Sequence, residues 1–415
     1  MGAASAGIAA RYSVRPLLPG PEDALRDEVL RLGVPAEKLS VLARKGAVEA
    51  LALRGLSFDQ TRVIERLVAE GGGEAITNSD GDRALLLMPL MTAGALPAQL
   101  AAWSDHAGEV GVAIGAALAA RGGAPAPLEL AGGGRLVFGA RTLVMGIVNV
   151  TPDSFSGDGV GDDVDAAVAR ALRLVEEGAD LVDIGGESTR PSALRQPVSA
   201  QVELARVMPV ITRLVGRLEV PISIDTRKAS VAAGALDAGA VIVNDVWGLR
   251  GDRDMAGVVA AHPGTGVVVM HNQHGTEYAD LLEDVCLGLR QSLATAEAAG
   301  IALDRVIVDP GFGFAKTPAH NLELIRRLGE LLGLGRALLV GPSRKSTIGL
   351  LTDGADQSMR LEGSLAFATL AVRGGAHIVR VHDVAETVRA LRVADAVVRG
   401  TPESLRDLPI PGPTG

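Results

Sequence analysis

The sequence predicts an α/β protein in which a (β/α)8 TIM barrel is preceded by a smaller α+β N-terminal domain. The prediction rests on the length of the chain, on a strand–helix alternation in its later part, and on a different pattern before it. A single hydrophobic core rarely grows beyond about 250–300 residues, and this chain has 415. We therefore expect an accessory domain at residues 1–140, a barrel at 141–400 and a C-terminal tail at 401–415.

The barrel prediction depends on eight short runs of aliphatic and β-branched residues. They are 142–150, 179–187, 221–226, 241–248, 266–272, 306–311, 337–343 and 377–383. Nearly continuous apolar runs are typical of parallel strands that are buried on both faces. The segments between them place apolar residues at helical spacing, and several close on glycine, at Gly178, Gly239 and Gly300. A doubly wound open sheet is the alternative, because counting strands does not prove that the sheet closes.

Residues 1–140 show a different pattern, which indicates an α+β domain. Ser57–Gln60 predicts a capping box at the start of a helix. The other expected elements are a hairpin at 74–90, helices at 96–108 and 109–123, a linker at 122–127, and a hairpin at 128–139 that caps the amino-terminal mouth of the barrel. We see no catalytic constellation in this segment, so we expect an accessory role for it.

Composition and charge exclude several classes of protein. Apolar residues make up 47% of the chain and charged residues 21%, which indicates a globular protein. The net charge of −9 argues against partners such as nucleic acid or an anionic membrane. The single cysteine, Cys286, excludes an intrachain disulfide and favours a cytoplasmic location. No run approaches the ~18 apolar residues of a spanning helix, and the amino terminus lacks the pattern of a signal peptide.

Polar side chains gather at the carboxyl ends of the eight predicted strands. In a (β/α)8 barrel these ends meet on one face, which carries the active site. The polar residues at or just after them include Asn149, Glu187, Thr189, Arg190, Asp225, Asn244, His271, Asp309, Ser343, Lys345, Arg380 and His382. One polar residue at a strand end means little, but eight such ends together predict an active site.

Seven motifs at these ends resemble those of the dihydropteroate synthase family. They are MGIVNVTPDSFSGDG, DIGGESTRP, SIDT, NDV, DPGFGFAK, GPSRKS and RVHD, which lie in the family's order within 141–400. The resemblance implies a transferase of folate biosynthesis. It joins p-aminobenzoate to 6-hydroxymethyl-7,8-dihydropterin pyrophosphate and releases 7,8-dihydropteroate and pyrophosphate. Mg2+ as cofactor and a homodimer are implied in the same way.

A pterin presents an aminopyrimidinone edge of adjacent N–H donors and acceptors, which buried carboxylates and an asparagine can match. The residues that the resemblance assigns to the pterin are Asp225, Asn244, Met270, Asp309 and Lys345. With Arg380, four of them (Asp225, Asn244, Asp309 and Lys345) are the expected catalytic residues. The alternative for each aspartate is the capping of the helix that follows its strand.

Pyrophosphate and p-aminobenzoate need their own subsites. The pyrophosphate candidates are Asn149, Thr189, Arg190, Arg380 and His382, with Asn149 close to a Mg2+ that bridges phosphate oxygens. The p-aminobenzoate candidates are Phe155, Arg190, Pro191, Phe314 and Ser343. The bland alternatives are a surface ion pair for Arg380, a core histidine for His382, and plain packing for the phenylalanines.

No motif for a covalent intermediate is evident, which fits a dissociative substitution helped by electrostatics and positioning. The chain departs from the family pattern at Gly157-Asp158, where the loop carboxylate is displaced by one residue, and at Ala315, which replaces a glycine. The alternative functions are a methyltetrahydrofolate–corrinoid methyltransferase and a non-catalytic pterin-binding protein. The methyltransferase has no need of the basic residues Arg190, Arg380 and His382, and the filling of all the expected polar positions argues against the non-catalytic protein.

Overall fold

The computed structural model describes residues 48–151, 163–187 and 198–400. Contacts between residues divide the chain into two compact units, with the boundary between Ala119 and Ala120. In the described residues, no helix is long and apolar enough to cross a membrane.

The first unit is a three-stranded antiparallel sheet with helices. Its elements are β1 (Val48–Arg54), α1 (Phe58–Glu70), β2 (Glu74–Thr77), β3 (Arg83–Pro89), α2 (Leu90–Trp103) and α3 (Asp105–Gly122), and the strand order is β1-β3-β2. The predicted capping box is confirmed, because Ser57 accepts from the backbone of Gln60 and the Gln60 side chain accepts from that of Ser57. The predicted hairpin is β2 and β3.

Two details of this unit differ from the sequence prediction. Strand β1 was not predicted, although it pairs along its whole length with β3. The break between the last two helices lies at Ser104 and not at residue 108, so the predicted boundary was wrong. Ser104 is extended (φ −167°, ψ 160°), and its hydroxyl accepts a hydrogen bond from the backbone N–H of Ala107 at 3.1 Å. Such a serine caps the start of the next helix.

The second unit is a closed parallel barrel of eight strands. The predicted barrel is therefore confirmed, and the alternative of an open sheet is wrong. A short hairpin comes first, formed by β4 (Leu128–Glu129) and β5 (Arg135–Leu136). The barrel strands are β6 (Leu143–Asn149), β7 (Leu181–Gly185), β8 (Ile222–Asp225), β9 (Ile242–Asp245), β10 (Gly266–Met270), β11 (Val306–Asp309), β12 (Ala337–Val340) and β13 (Ile378–Val381).

Helices follow each strand and cover the outside of the barrel. They are α4 (Val164–Glu176), α5 (Ala200–Leu214), α6 (Ala229–Asp237), α7 (Met255–Ala261), α8 (Leu281–Ala298), α9 (Pro318–Arg326), α10 (Ser346–Leu351), α11 (Leu361–Arg373) and α12 (Val384–Val398). Buried aliphatic side chains of strands and helices form one continuous core between the two layers.

The barrel interior is apolar at its amino-terminal end. Inward-facing residues such as Met145, Leu181 and Val268 pack together there with residues of the β4–β5 hairpin, including Leu128 and Leu136. This end is therefore filled with side chains.

Strand register brings the polar residues together at the carboxyl end. Asn149 is paired with Gly185, Gly185 with Asp225, and Asp225 with Asn244. On the other side of the barrel, Met270 is paired with Asp309. Because paired residues of parallel strands point to the same face, these side chains point inward near the carboxyl end of the barrel.

Candidate active site

Arg380 is the centre of the polar layer. Its Nε donates to Asp183 Oδ2 at 2.6 Å, and its Nη2 donates to Asp225 Oδ2 at 2.7 Å. Burial raises the pKa of Asp225; Arg380 opposes this shift and the nearby charge of Asp183 adds to it. The arginine therefore lies inside the barrel and is not the surface residue of the alternative interpretation.

Asn244 shares the same carboxylate. Its Nδ2 donates to Asp183 Oδ2 at 2.9 Å, and the residue is only 4% exposed. Sequence reasoning missed Asp183, which is 0% exposed. The sequence did contain a signal for Asp183, namely a charged residue in the middle of an apolar strand. Only the later residues of that motif were chosen as site candidates.

Asp309 ends β11 and shapes the loop after it. Its Oδ1 accepts from the backbone N–H of Gly311 at 2.7 Å. Burial raises the pKa of Asp309 to about 6, although this hydrogen bond and Lys345 oppose the shift. Helix capping is not its role, because α9 is capped by Thr317. The second oxygen, Oδ2, makes no hydrogen bond with any residue in the described ranges and is available to a ligand.

Lys345 and Phe314 meet above the layer of carboxylates. The Lys345 Nζ lies 4.2 Å from the centroid of the Phe314 ring, which is a cation–π contact. Gly313, with φ +79°, lies beside the Lys345 stem, where a Cβ would come within 2.9 Å of Lys345 Cδ. The two side chains predicted for the pterin and for p-aminobenzoate are therefore neighbours.

Ser343 and His382 form a second contact at the end of the barrel. His382 Nδ1 lies 2.9 Å from Ser343 Oγ, and the backbone N–H of His382 donates to the same oxygen. The pyrophosphate candidate and the p-aminobenzoate candidate thus touch each other. Beside them Arg344 pairs with Asp383 through two hydrogen bonds, which fixes the start of α12.

A buried lysine lies under the Phe314 loop. Lys316 Nζ lies 3.2 Å from His271 Nδ1 and donates to the backbone carbonyl of Phe314 at 3.2 Å. Burial lowers the pKa of Lys316 to about 7 and that of His271 to about 3. Sequence reasoning did not predict this contact.

A buried ionic cluster supports the end of β7. Lys228 pairs with both Glu187 and Glu203, and Arg227 adds a second cation to Glu187. Burial opposes ionisation of Glu187, but hydrogen bonds from Arg227 and Lys228 lower its pKa. Glu187 Oε1 also accepts from the backbone N–H of Val198 at 3.0 Å. The cluster thereby includes a contact between Glu187 and Val198.

Some predicted residues cannot be compared with the structure. Phe155, Thr189, Arg190, Pro191 and the displaced carboxylate Asp158 lie outside the described residues. The predicted residues Asn149, Asp225, Asn244, Met270, Asp309, Phe314, Ser343, Lys345, Arg380 and His382 are all described, at or just after the carboxyl ends of the strands. Their roles toward a ligand remain predictions.

The candidate metal ligand Asn149 stands at the end of β6. In the described ranges, no group of three or more His, Cys, Asp or Glu side chains could hold a metal ion. Mg2+ commonly keeps several waters and binds through one or two protein oxygens together with substrate phosphates. One amide oxygen therefore fits a metal ion that a diphosphate brings with it, and does not fit a permanent protein cage.

Fold and site together define a class of protein, a (β/α)8 barrel that gathers buried acceptors and an arginine at its carboxyl end. The sequence pattern of the family described as pterin binding enzyme matches residues 145–382, which is more than half of the chain.

Comparison with individual proteins is more specific. The chain is 42% identical over 262 residues to a dihydropteroate synthase of Clostridium beijerinckii, covering 63% of this chain and 96% of that one. It also matches the structure of Xanthomonas albilineans dihydropteroate synthase with 4-aminobenzoic acid, with 47% identity and a TM-score of 0.61 over 66% of this chain and 98% of that one. A structure of the synthase from that organism in complex with 7,8-dihydropteroate matches with 44% identity and a TM-score of 0.58, over 65% and 98%. The chain belongs to the pterin binding enzymes, in the dihydropteroate synthase family.

Proposed function

We propose that the protein condenses p-aminobenzoate with 6-hydroxymethyl-7,8-dihydropterin pyrophosphate. The products are 7,8-dihydropteroate and pyrophosphate, which makes the protein a transferase of folate biosynthesis. The observation that carries this proposal is the convergence of Asp225, Asn244 and Asp309 around Arg380, in a chain that matches synthases over almost their whole length. No contact in the described residues favours the corrinoid methyltransferase or the non-catalytic protein.

The pterin subsite follows from hydrogen-bond complementarity. Asp309 Oδ2 and Asp225 Oδ1 face a ring that carries N–H donors, and Lys345 supplies a donor for ring acceptors. Asp225 Oδ1 is buried and has no partner in the described part of the chain. A buried acceptor without a partner is costly, so a ligand that donates to it is stabilised by this contact. Met270, which is 3% exposed, gives the subsite an apolar side.

The reaction itself needs little proton transfer. The bond between the pterin methylene carbon and the diphosphate oxygen breaks, and pyrophosphate leaves with the electron pair. The methylene cation is delocalised into the pterin ring, the amine nitrogen of p-aminobenzoate forms the new C–N bond, and the nitrogen releases a proton. Arg380 and His382 stabilise the departing anion electrostatically. Phe314 and Ser343 hold p-aminobenzoate by its ring and its carboxylate.

Mg2+ would be held by Asn149 and the diphosphate oxygens, and when bound it supplies positive charge to the leaving group. A single amide oxygen makes the ion dependent on substrate. We therefore place Mg2+ in the proposal as a cofactor that enters with the diphosphate.

A turnover assay tests the proposed function. Purified protein with both substrates and Mg2+ should release pyrophosphate and form 7,8-dihydropteroate in equal amounts. An Arg380→Leu variant should lose the activity, and an Arg217→Leu variant, changed at an exposed site after α5, should keep it. Binding of the pterin without product formation would favour the non-catalytic alternative.

Binding of p-aminobenzoate should depend on pyrophosphate and Mg2+. Ser343 contacts His382 directly, so an anion that orders His382 also orders the hydroxyl that meets the p-aminobenzoate carboxylate. Without the anion, no contact compensates for the conformational entropy that these side chains lose when they become ordered. Equilibrium binding with and without pyrophosphate and Mg2+ should show much tighter binding in their presence. Equal affinity in the two conditions would show that the slot is preformed.

The second unit should carry the chemistry alone. Every described site residue lies after the boundary at Ala120, and the β4–β5 hairpin that packs under the barrel also lies after it. A chain that begins at residue 120 should therefore keep turnover, with the accessory domain removed. If this shortened chain is folded, as circular dichroism can show, and yet inactive, then the accessory role is wrong.

A homodimer and a cytoplasmic location also remain proposals. Several large apolar side chains on or between the last three helices are exposed, namely Leu350, Leu351, Met359, Leu370, Val393 and Val397. Exposed apolar surface of this kind favours a protein interface, and sedimentation of the purified protein can test whether two copies associate.

A further inference from the structure

Asp183 is a buried acidic residue below the carboxyl ends of the barrel strands. It is paired in register with Ser223 on β8, one inward-facing level below the pair of Gly185 and Asp225. Its side chain is fully buried. Residues nearer the carboxyl end of the barrel separate this carboxylate from a ligand. Asp183 therefore acts through the side chains that it contacts.

Asp183 determines which way the Asn244 amide points. Oxygen and nitrogen of an amide are easily confused, but a carboxylate can only accept hydrogen bonds. Asn244 must therefore turn its Nδ2 toward Asp183 Oδ2, at 2.9 Å. The carbonyl oxygen then points away from Asp183, and it accepts no hydrogen bond within the described ranges.

The same carboxylate oxygen fixes Arg380. Asp183 Oδ2 accepts from Nε at 2.6 Å, while Asp225 Oδ2 accepts from Nη2 at 2.7 Å. Held at two of its three nitrogens, the planar guanidinium cannot rotate. One buried residue thus orients both a pterin candidate and a pyrophosphate candidate.

We propose that Asp183 is a positioning residue that sets specificity for the donor-bearing edge of a 2-aminopyrimidinone ring, by making Asn244 present its carbonyl oxygen and by locking Arg380. With Asp225 and Asp309, the site then offers three acceptors to the ligand. The inference rests on the proposed function, since it names the determinant of pterin recognition in that same site.

An Asp183→Asn variant is the direct test. Both donors meet the same oxygen, Oδ2, so an amide oxygen at that place keeps the two contacts without the negative charge. The amide nitrogen then stands at the place of Oδ1, which is buried and has no partner in the described part of the chain. We expect the KM for the pterin pyrophosphate to rise roughly 10- to 100-fold, the range for lost hydrogen bonds to charged groups. The KM for p-aminobenzoate, measured with the pterin pyrophosphate at saturation, should stay within about twofold, because Phe314 and Ser343 make no hydrogen bond to this network. A general loss of structure would move both constants.

The pH profile gives a second readout. Four charged side chains face Asp225: Asp183 on β7, Arg380 on β13, Glu203 on α5, and Lys345, which follows β12. The pKa of Asp225 is raised mainly by burial. Removal of the Asp183 charge lowers this pKa. Because the ionised form of Asp225 is the acceptor, the acidic limb of kcat/KM for the pterin substrate should move to lower pH in the variant. A role limited to packing would leave that limb in place.

An exchange of the two side chains provides the rescue. Both partners of Asp183 now lie at Oδ2. In Asp183→Asn with Asn244→Asp, the new amide therefore has to turn about its Cβ–Cγ bond, so that its oxygen accepts from Arg380 Nε and its nitrogen donates to the new carboxylate, which again offers an oxygen to the ligand. This exchange keeps the net charge and should recover most of the lost pterin affinity, even where the single variant does not fold. Ser223→Ala is the matched control, because the Ser223 hydroxyl is buried in the adjacent register position and has no partner in the described part of the chain.

The outcomes separate the two proposals. Turnover by the wild-type protein tests the function, and the variants test Asp183. An unchanged pterin KM in Asp183→Asn, equal rises of both KM values, or an exchange variant no better than the single one would each overturn the positioning role. A selective rise in the pterin KM, reversed by the exchange and absent in Ser223→Ala, would support it.

Discussion

Replacing Asp309 with asparagine should reduce the affinity for the pterin pyrophosphate on the order of 100-fold, the cost of a buried donor that loses a charged acceptor. The change keeps the shape of the side chain. The amide oxygen can still accept from the Gly311 N–H, as Oδ1 does now at 2.7 Å. The amide nitrogen then occupies the place of Oδ2, so that a donor faces the donors of the ring. Calorimetric titration of the pterin pyrophosphate measures the loss.

The control for this experiment lies at the other end of the same strand. Asp304 is exposed, just before β11 begins at Val306, so Asp304→Asn should bind the pterin like the wild type. Asp309→Ala should lose at least as much affinity as Asp309→Asn, and it also removes the acceptor for Gly311. A folded Asp309→Asn protein with wild-type affinity would show that the pterin does not donate to this carboxylate.

The barrel could be predicted from the sequence because burial leaves a local record. Strands that are covered on both faces must be apolar throughout, and the eight runs show this directly. Closure leaves no such record, because it depends on the tilt and register of all strands together. The pairing of β9 with β10, for example of Val243 with Val267, is one of the ladders that complete the ring, and nothing in either run predicts it.

Site residues that stand at strand ends could be predicted from the sequence. A residue whose role depends on a partner far away in the chain could not. Asp225, Asn244 and Asp309 stand at strand ends, and their position at the carboxyl end follows from the barrel geometry. Asp183 lies deeper, and its partner Arg380 is 197 residues away in the chain. A contact of this kind exists only after the barrel has closed. In the first unit, β1 was missed because its alternation, with Glu49 among apolar residues, does not stand out from the sequence before it.

The same argument applies to the ionic cluster under the end of β7, which gives the largest expected change in stability. Glu203 is 0% exposed, and Lys228 is its cationic partner. Lys228→Met keeps most of the apolar stem but leaves a carboxylate buried without compensation. Removing one member of a buried ion pair commonly costs about 3–5 kcal/mol. The variant should unfold at a clearly lower denaturant concentration than the wild type, and Arg217→Met, at an exposed site after α5, should not.

A double variant decides whether the uncompensated charge is the cause. In Lys228→Met with Glu203→Gln, no charge remains at the deepest point of the cluster, and Glu187 keeps its contact with Arg227 at 3.1 Å. Removing both partners of a buried pair is far less costly than removing one, so the double variant should be more stable than Lys228→Met alone. If it is instead less stable, the lysine contributes through packing and hydrogen bonding. The loss in the single variant would then say nothing about charge. Because Glu187 also accepts from Val198, the stability of this cluster and the contact between Glu187 and Val198 should change together.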